Sequence, residues 1–218
     1  MEKRRKREIS IPDYTLGEEI FNAVSHGVGA LLGVAALVLM VIRAHGALAE
    51  VAVSIFGAAM IQLYTISCVY HALSRRLNGK KVMRVIDHCN VYLLVLGTYV
   101  PVSLLGVGAA RGWELLGIVL AFSVLGIVFT AIDVDRYQVV SVLCHLASGW
   151  SILLGIPGLR LSMGRGGLVC LILGGVMYSI GAILYALGRK KRYSHSIFHL
   201  FCILGTFFHF WCVYAYLL

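Results

Sequence analysis

Charge is what this sequence has least of. Only 13% of its 218 residues are Asp, Glu, Lys or Arg, against about a quarter in an ordinary soluble domain. No stretch is polar enough to form a second, soluble domain. None of the six cysteines (Cys68, Cys89, Cys144, Cys170, Cys202 and Cys212) stands in a Cys-x-x-Cys pair, and all fall in apolar runs. That excludes a disulfide framework and leaves small, buried apolar side chains as their expected role. Ten-residue blocks of alternating polarity are also missing, which argues against a membrane β-barrel.

What is present is apolar sequence. Hydrophobic residues make up 60% of the chain, and the mean hydropathy is +0.88. Seven stretches, near 21–43, 50–73, 83–105, 114–132, 139–157, 166–187 and 195–217, reach the ~20 residues that a helix needs to cross a bilayer. The expected fold is all-α, a polytopic seven-transmembrane helix bundle. Residues 1–20 form a basic N-terminal segment and residues 21–218 the membrane domain. Ala47-Leu-Ala49 resembles a signal-peptide cleavage site but lies too late in the chain, so 21–43 reads as a retained helix.

The net charge of +9 is clustered. Lys3 to Arg7 form one group, Arg75, Arg76, Lys80, Lys81 and Arg84 a second, and Arg189 to Arg192 a third. Each abuts an apolar span, so membrane topology and anionic lipid headgroups explain them better than nucleic acid does. With seven spans, fifteen of the nineteen Lys and Arg share one side and four lie on the other. The excess marks the cytoplasmic side, which places the N-terminus inside and the C-terminus outside.

Direction fixes depth. Ser67 and His71 then lie near the cytoplasmic end of the second span, Asp87 in the first turns of the third, and His195 and His199 at the start of the seventh. His195 and His199 are four residues apart, hence on one helix face. Three histidines at one level, with an open fourth position, suit a catalytic-type zinc site. Asp87 fits as a carboxylate beside a ligand or the bound water, and Ser67 as a hydrogen-bonding partner of that water or of a substrate carbonyl. Interhelical hydrogen bonding is the plainer alternative. His209 lies ~15 Å further along its helix and cannot share the ion. His26 and His145 sit at the same end as the cluster, and His88 points about 100° away from Asp87. Glu18 and Glu19 are expected to be solvated ahead of the first span. Gly29-Ala-Leu-Leu-Gly33 reads as a helix-packing motif, and Tyr99-Val-Pro101 as a kink.

Ser67-Cys-Val-Tyr-His71, Asp87 and His195-Ser-Ile-Phe-His199 together resemble the motif set of the hemolysin III family, the bacterial branch of the progestin and adiponectin receptor proteins. Glu18-Glu-Ile-Phe-Asn22 with His26-Gly27, and Phe207-Phe-His209-Phe, are similar to further family signatures. The resemblance implies a seven-helix bundle in the bacterial plasma membrane with zinc near the cytoplasmic face. It implies His71, His195 and His199 as ligands and Asp87 as the carboxylate linked to the bound water. Through the alkaline ceramidases of the wider superfamily, it implies metal-dependent hydrolysis of lipid amides.

Three functions compete. The first is a zinc-dependent hydrolase of lipid amide or ester bonds, with membrane lipids as partners and Asp87 and Ser67 as catalytic residues. The second is a non-catalytic sensor or regulator of membrane lipid state, in which zinc ties helices together. The third is a pore-forming or cytolytic protein, as the hemolysin name suggests; few charged residues lie in mid-membrane to support it.

Overall fold

The computed structural model describes residues 9–187 and 191–218; the basic cluster at 3–7 and the cations Arg189 and Lys190 lie outside the described residues. The first helix begins with a reciprocal cap. The Thr15 hydroxyl accepts from the Glu18 N–H, and the Glu18 carboxylate accepts from the Thr15 N–H, which satisfies two of the orphan donors of a helix start. Helix α1 (Leu16–Arg43) therefore starts at Leu16 rather than at 21. Helices α2 (Ala47–Ala72) and α3 (Asn78–Pro101) follow. Pro101 leads directly into a π-helical stretch, Val102–Val107, a widening of the kind that re-pairs backbone groups near a helix proline. Helix α4 (Ala109–Ile132) comes next. Helix α5 (Gln138–Trp150) continues as a 3₁₀ segment, Ser151–Gly155, into α6 (Ile156–Leu187), and α7 (Ser194–Tyr216) ends the bundle.

Among the described residues, six stretches are long and apolar enough to cross a membrane: Leu16–Arg43, Ala47–Ala72, Asn78–Val107, Ala110–Ile132, Gln138–Ala186 and Ser194–Tyr216. Seven were expected, and the difference lies in the fifth, which runs for 49 residues. It is not straight. Gly164 interrupts α6 with φ 62° and ψ −165°, a conformation open to glycine and strained for other residues. The two arms lie side by side. The Trp150 indole N–H donates to Ser179 Oγ at 2.9 Å. Gln138 and His145 from one arm share a cavity wall with Tyr178, Ala182 and Tyr185 from the other.

Small residues set the helix spacing. A Cβ placed on Gly97 of α3 would lie 2.5 Å from Ala59 Cβ of α2, and one on Gly29 would lie 3.0 Å from the Tyr64 ring. One on Gly33 would meet the Ile61 backbone nitrogen at 3.3 Å, so Gly29 and Gly33 both serve close packing of α1 on α2. The outer surface is the reverse of a soluble protein's. Leu31, Ile42, Val124 and Ile132 stand exposed, an apolar periphery of the kind that lipid covers.

The end of the bundle where α1 starts buries two of its cations. Lys80 and Arg84, expected among headgroup-facing cations, are each 1% exposed. An ion in an apolar bundle needs a counter-ion and hydrogen bonds, and each of the two has a carboxylate and at least one carbonyl partner. Lys80 Nζ donates to Glu19 Oε1 at 2.6 Å and to the Leu73 carbonyl at 2.8 Å. Arg84 donates to Asp135 Oδ1 at 2.9 Å, to Asp135 Oδ2 at 3.1 Å and to the Ser10 carbonyl at 2.6 Å. The Ser10 hydroxyl adds a bond to Asp135 Oδ2 at 2.8 Å, and Arg75 pairs with Asp13. Residues 9–15 are thus strapped across the helix ends.

Two outcomes follow from this packing. Gly97→Ala should destabilise the protein by roughly 1–3 kcal/mol through overpacking. Gly117→Ala, with open space around it, should be neutral or slightly stabilising; thermal unfolding in detergent compares them. At Asp135, partial burial pushes the carboxyl pKa up, but the Arg84 and Ser10 hydrogen bonds and the Arg84 charge outweigh it and hold it well below the usual range. The tether is therefore complete above the unfolded value of ~3.9 and is lost only as pH falls through the lower folded value. Amide exchange of residues 9–15 should stay slow at pH ~4 in the wild type and be faster in Asp135→Asn wherever the wild-type carboxylate is ionised.

Candidate metal centre

Helix periodicity delivers the site. Ser67 and His71 lie four residues apart on the last turns of α2, and His195 and His199 four apart on the first turns of α7, so each pair shares a face. The α2 and α7 pairs meet inside the bundle. His71 Nε2 lies 3.3 Å from His195 Nε2, and His199 Nε2 lies 3.1 Å from His195 Nε2. All three rings are buried, with their ligand-capable atoms within 4.8 Å of one another. His71, His195 and His199 can hold a metal ion.

The geometry bears a chemical test. Two nitrogens each about 2.0–2.1 Å from one tetrahedral ion stand about 3.3–3.4 Å apart, close to the spacings here. Hydrogen bonding alone serves the cluster poorly. His71 Nδ1 faces the Glu19 carboxylate at 2.7 Å, which is an acceptor only, so Nδ1 carries the proton and Nε2 the lone pair. If His195 Nε2 then donates to His71, that same nitrogen has no lone pair left to accept from His199. Three imidazole nitrogens converge with too few protons between them, the arrangement a shared cation resolves.

The surroundings come from four elements. The His26 ring of α1 stacks on His199 with centroids 3.6 Å apart and planes 16° apart. Tyr14 of the strap stacks on His195 at 5.0 Å and 18°. Asp87 of α3 is buried and shares a cavity wall with Ser67. Asp87, Ser67, His26 and His199 line one end of an apolar cavity that continues along Leu94, Val102 and other bundle residues. A second cavity, lined by Asp87, His88, Gln138 and His145, reaches His195. On the strap side, Tyr14, Glu18, Arg84, Lys191 and Arg192 line a polar pocket that also ends at His195. The cluster thus sits between an apolar cavity and a polar one.

The other sequence expectations fare unevenly. His88 is turned to the Tyr185 hydroxyl, 3.0 Å from its Nε2. His209 is bonded through Nε2 to the Leu171 carbonyl at 3.1 Å, away from the cluster. Glu18 and Glu19 are not solvated; they are 4% and 9% exposed. The cap at Thr15 draws both into α1, where Glu18 accepts from the Tyr193 N–H at 2.7 Å and Glu19 bridges His71 and Lys80. Glu19, Asn22, Lys80 and Tyr14 are the neighbours of the cluster that sequence reasoning missed. Thr15-x-x-Glu18 was the signal available, because it places Glu19, Asn22 and His26 on one face of α1.

Comparison with known proteins agrees with this geometry. Residues 14–210 match the family model described as haemolysin-III related. The chain is 38% identical to Hemolysin-3 of Bacillus cereus, over 92% of each chain. It is 36% identical to the Hemolysin-3 homolog of Bacillus subtilis (strain 168), over 93% of this chain and 96% of that one. At 28% identity, 72% of the chain aligns with 41% of the adiponectin receptor protein of Drosophila melanogaster. No solved structure matches. With its apolar helices, this makes the chain a multi-pass protein of the cell membrane, and it belongs to the haemolysin-III-related family.

Proposed function

We propose that this protein is a zinc-dependent hydrolase of amide or ester bonds in membrane lipids, crossing the membrane seven times with its N-terminus in the cytoplasm. The seventh crossing comes from dividing the 49-residue stretch at Gly164, in line with its side-by-side arms. The Lys and Arg excess on the N-terminal side supports the orientation.

The observation that carries the chemistry is the convergence of three imidazole nitrogens beside a carboxyl, at the mouth of an apolar cavity. His71, His195 and His199 would hold the ion. Zinc so held supplies Lewis acidity and water activation near neutral pH, with a fourth position open. The remaining work falls to the chain. The cavity walls, Leu63, Val91, Leu94 and Val95 among them, receive an acyl chain and keep water from it. Asp87, at the cavity mouth, takes the proton that the attacking water loses and returns it to the departing nitrogen or oxygen. Ser67, on the same cavity wall, hydrogen-bonds the attacking water or the substrate carbonyl and orients the attack. The polar pocket beyond His195 gives the polar product a way out.

Metal analysis of purified protein should find zinc in the wild type and its loss in His71→Ala. Asp87→Asn should keep substantial zinc yet lose roughly 10²-fold or more of the turnover of a ceramide, acyl-amide and phospholipid panel, the scale of general acid–base catalysis. Fully zinc-loaded wild type with no turnover on that panel would overturn the hydrolase and leave a non-catalytic zinc-tied bundle.

A further inference from the structure

We propose that Glu19 is the positioning residue of the metal centre, fixing His71 as a ligand, and that Lys80 holds Glu19 in place for that task. The proposal rests on the metal-site reading above and goes beyond it, to a residue outside the histidine and aspartate set.

Glu19 stands on the first turn of α1, opposite the ends of two other helices. Its two carboxylate oxygens have different partners: Oε2 meets His71 Nδ1 at 2.7 Å and Oε1 meets Lys80 Nζ at 2.6 Å. The His71 and Lys80 side chains are 0% and 1% exposed, and that of Glu19 is 11% exposed. Lys80 is held from two further sides, by the Leu73 carbonyl at 2.8 Å and by the Tyr70 ring, 5.2 Å from its Nζ. An ammonium so enclosed keeps the carboxylate ionised and prevents it from swinging away. The ionised carboxylate accepts only. It therefore sets the proton of His71 on Nδ1, points the Nε2 lone pair at His195 and His199, and makes the ring a more basic donor to a cation.

Among the described residues, no carboxylate makes the same bond to His195 or His199. His199 Nδ1 is buried without a hydrogen-bond partner, and His195 is held by the stacked Tyr14 ring. His71 is thus the one ligand whose tautomer is fixed from behind. Asn22 lies one turn along α1, with its side-chain amide beside the same ring. A merely structural Glu19–Lys80 pair would have no reason to divide its oxygens between a cation and an imidazole.

The test measures zinc affinity of the full chain in detergent by competition with a chelator, beside thermal unfolding of the metal-free protein. Glu19→Gln keeps the side-chain length but loses the charge, and it leaves Lys80 unpaired. Glu19→Gln with Lys80→Met removes that second fault. Both should bind zinc roughly 10–100-fold more weakly than wild type, the usual cost of losing a partner behind a metal ligand. The metal-free double variant should unfold near the wild-type temperature. Unchanged zinc affinity in the double variant would overturn the proposal, whatever its thermal stability. A wild-type protein that binds no zinc would overturn the metal-site reading and this proposal with it.

Discussion

An ion inside an apolar bundle needs a partner, and this requirement organises the N-terminal face of the molecule. Moving a bare charge from water into such surroundings costs several kcal/mol even after relaxation. Lys80 and Arg84 are both almost fully enclosed, so each has recruited a carboxylate. Lys80 draws in Glu19 from α1, and Arg84 draws in Asp135 from the turn between α4 and α5. The two pairs tie α1, α3 and the α4–α5 turn at one level. Arg84 and Asp135 also take hold of Ser10, so the segment ahead of α1 is drawn over the helix ends.

The histidine cluster depends on that arrangement. Tyr14 stacks on His195 from a strap that Ser10 and Asp13 anchor just ahead of it. Glu19 can reach His71 only because α1 begins at Thr15 and turns its Glu19–Asn22–His26 face inward. Pairing one basic residue with each carboxylate therefore does more than neutralise charge. It brings the helix ends to fixed separations, and the imidazoles on α2 and α7 meet as a consequence. Buried ion pairs contribute little net stability compared with apolar packing of the same volume. Here their effect is on register.

The sequence carried the histidine triad plainly. Four-residue spacing on α7, a histidine near the end of α2 and consistent span directions put His71, His195 and His199 at one depth before any coordinates were considered. Apolar run length likewise gave most of the helix ends within about five residues, the junction of α5 and α6 apart. Two things escaped it, for definite reasons. Apolar length marks where a helix enters lipid, not where its backbone begins, so α1 was started too late and Glu18 and Glu19 were left outside it. The Thr15–Glu18 cap held the missing information. Lys80 and Arg84 sit in a run of cations, and sequence order cannot tell a solvated member of such a run from a buried one. Their partners Glu19 and Asp135 lie 61 and 51 positions away. The division of the long stretch at Gly164 is a similar case: four glycines within 158–167 signalled a break, while the backbone there remains largely helical.

Whether the cluster is glue or a working site can be argued from a second polar network in the same bundle. Further along α7, the Thr206 hydroxyl hydrogen-bonds Tyr64 of α2 at 2.6 Å and Tyr178 of α6 at 2.6 Å, and the Tyr64 hydroxyl reaches the Cys202 carbonyl at 3.2 Å. Three helices are joined there by hydroxyls, which can each donate and accept, and the small set closes on itself. That is what interhelical glue looks like in this protein. The histidine cluster joins the same two outer members, α2 and α7, yet uses groups that cannot close. Each neutral imidazole has one donor and one acceptor nitrogen, and the Glu19 carboxylate has already claimed a proton on the far side of His71. His199 Nδ1 and both ring nitrogens of His26 remain buried without hydrogen-bond partners. A fold that can satisfy its polar groups with tyrosine and threonine a few turns away has no need of unsatisfied imidazoles for cohesion. Buried polar groups left open in this way cost stability, and the converging Nε2 atoms of His71, His195 and His199, which cannot all pair with one another, suit a shared cation.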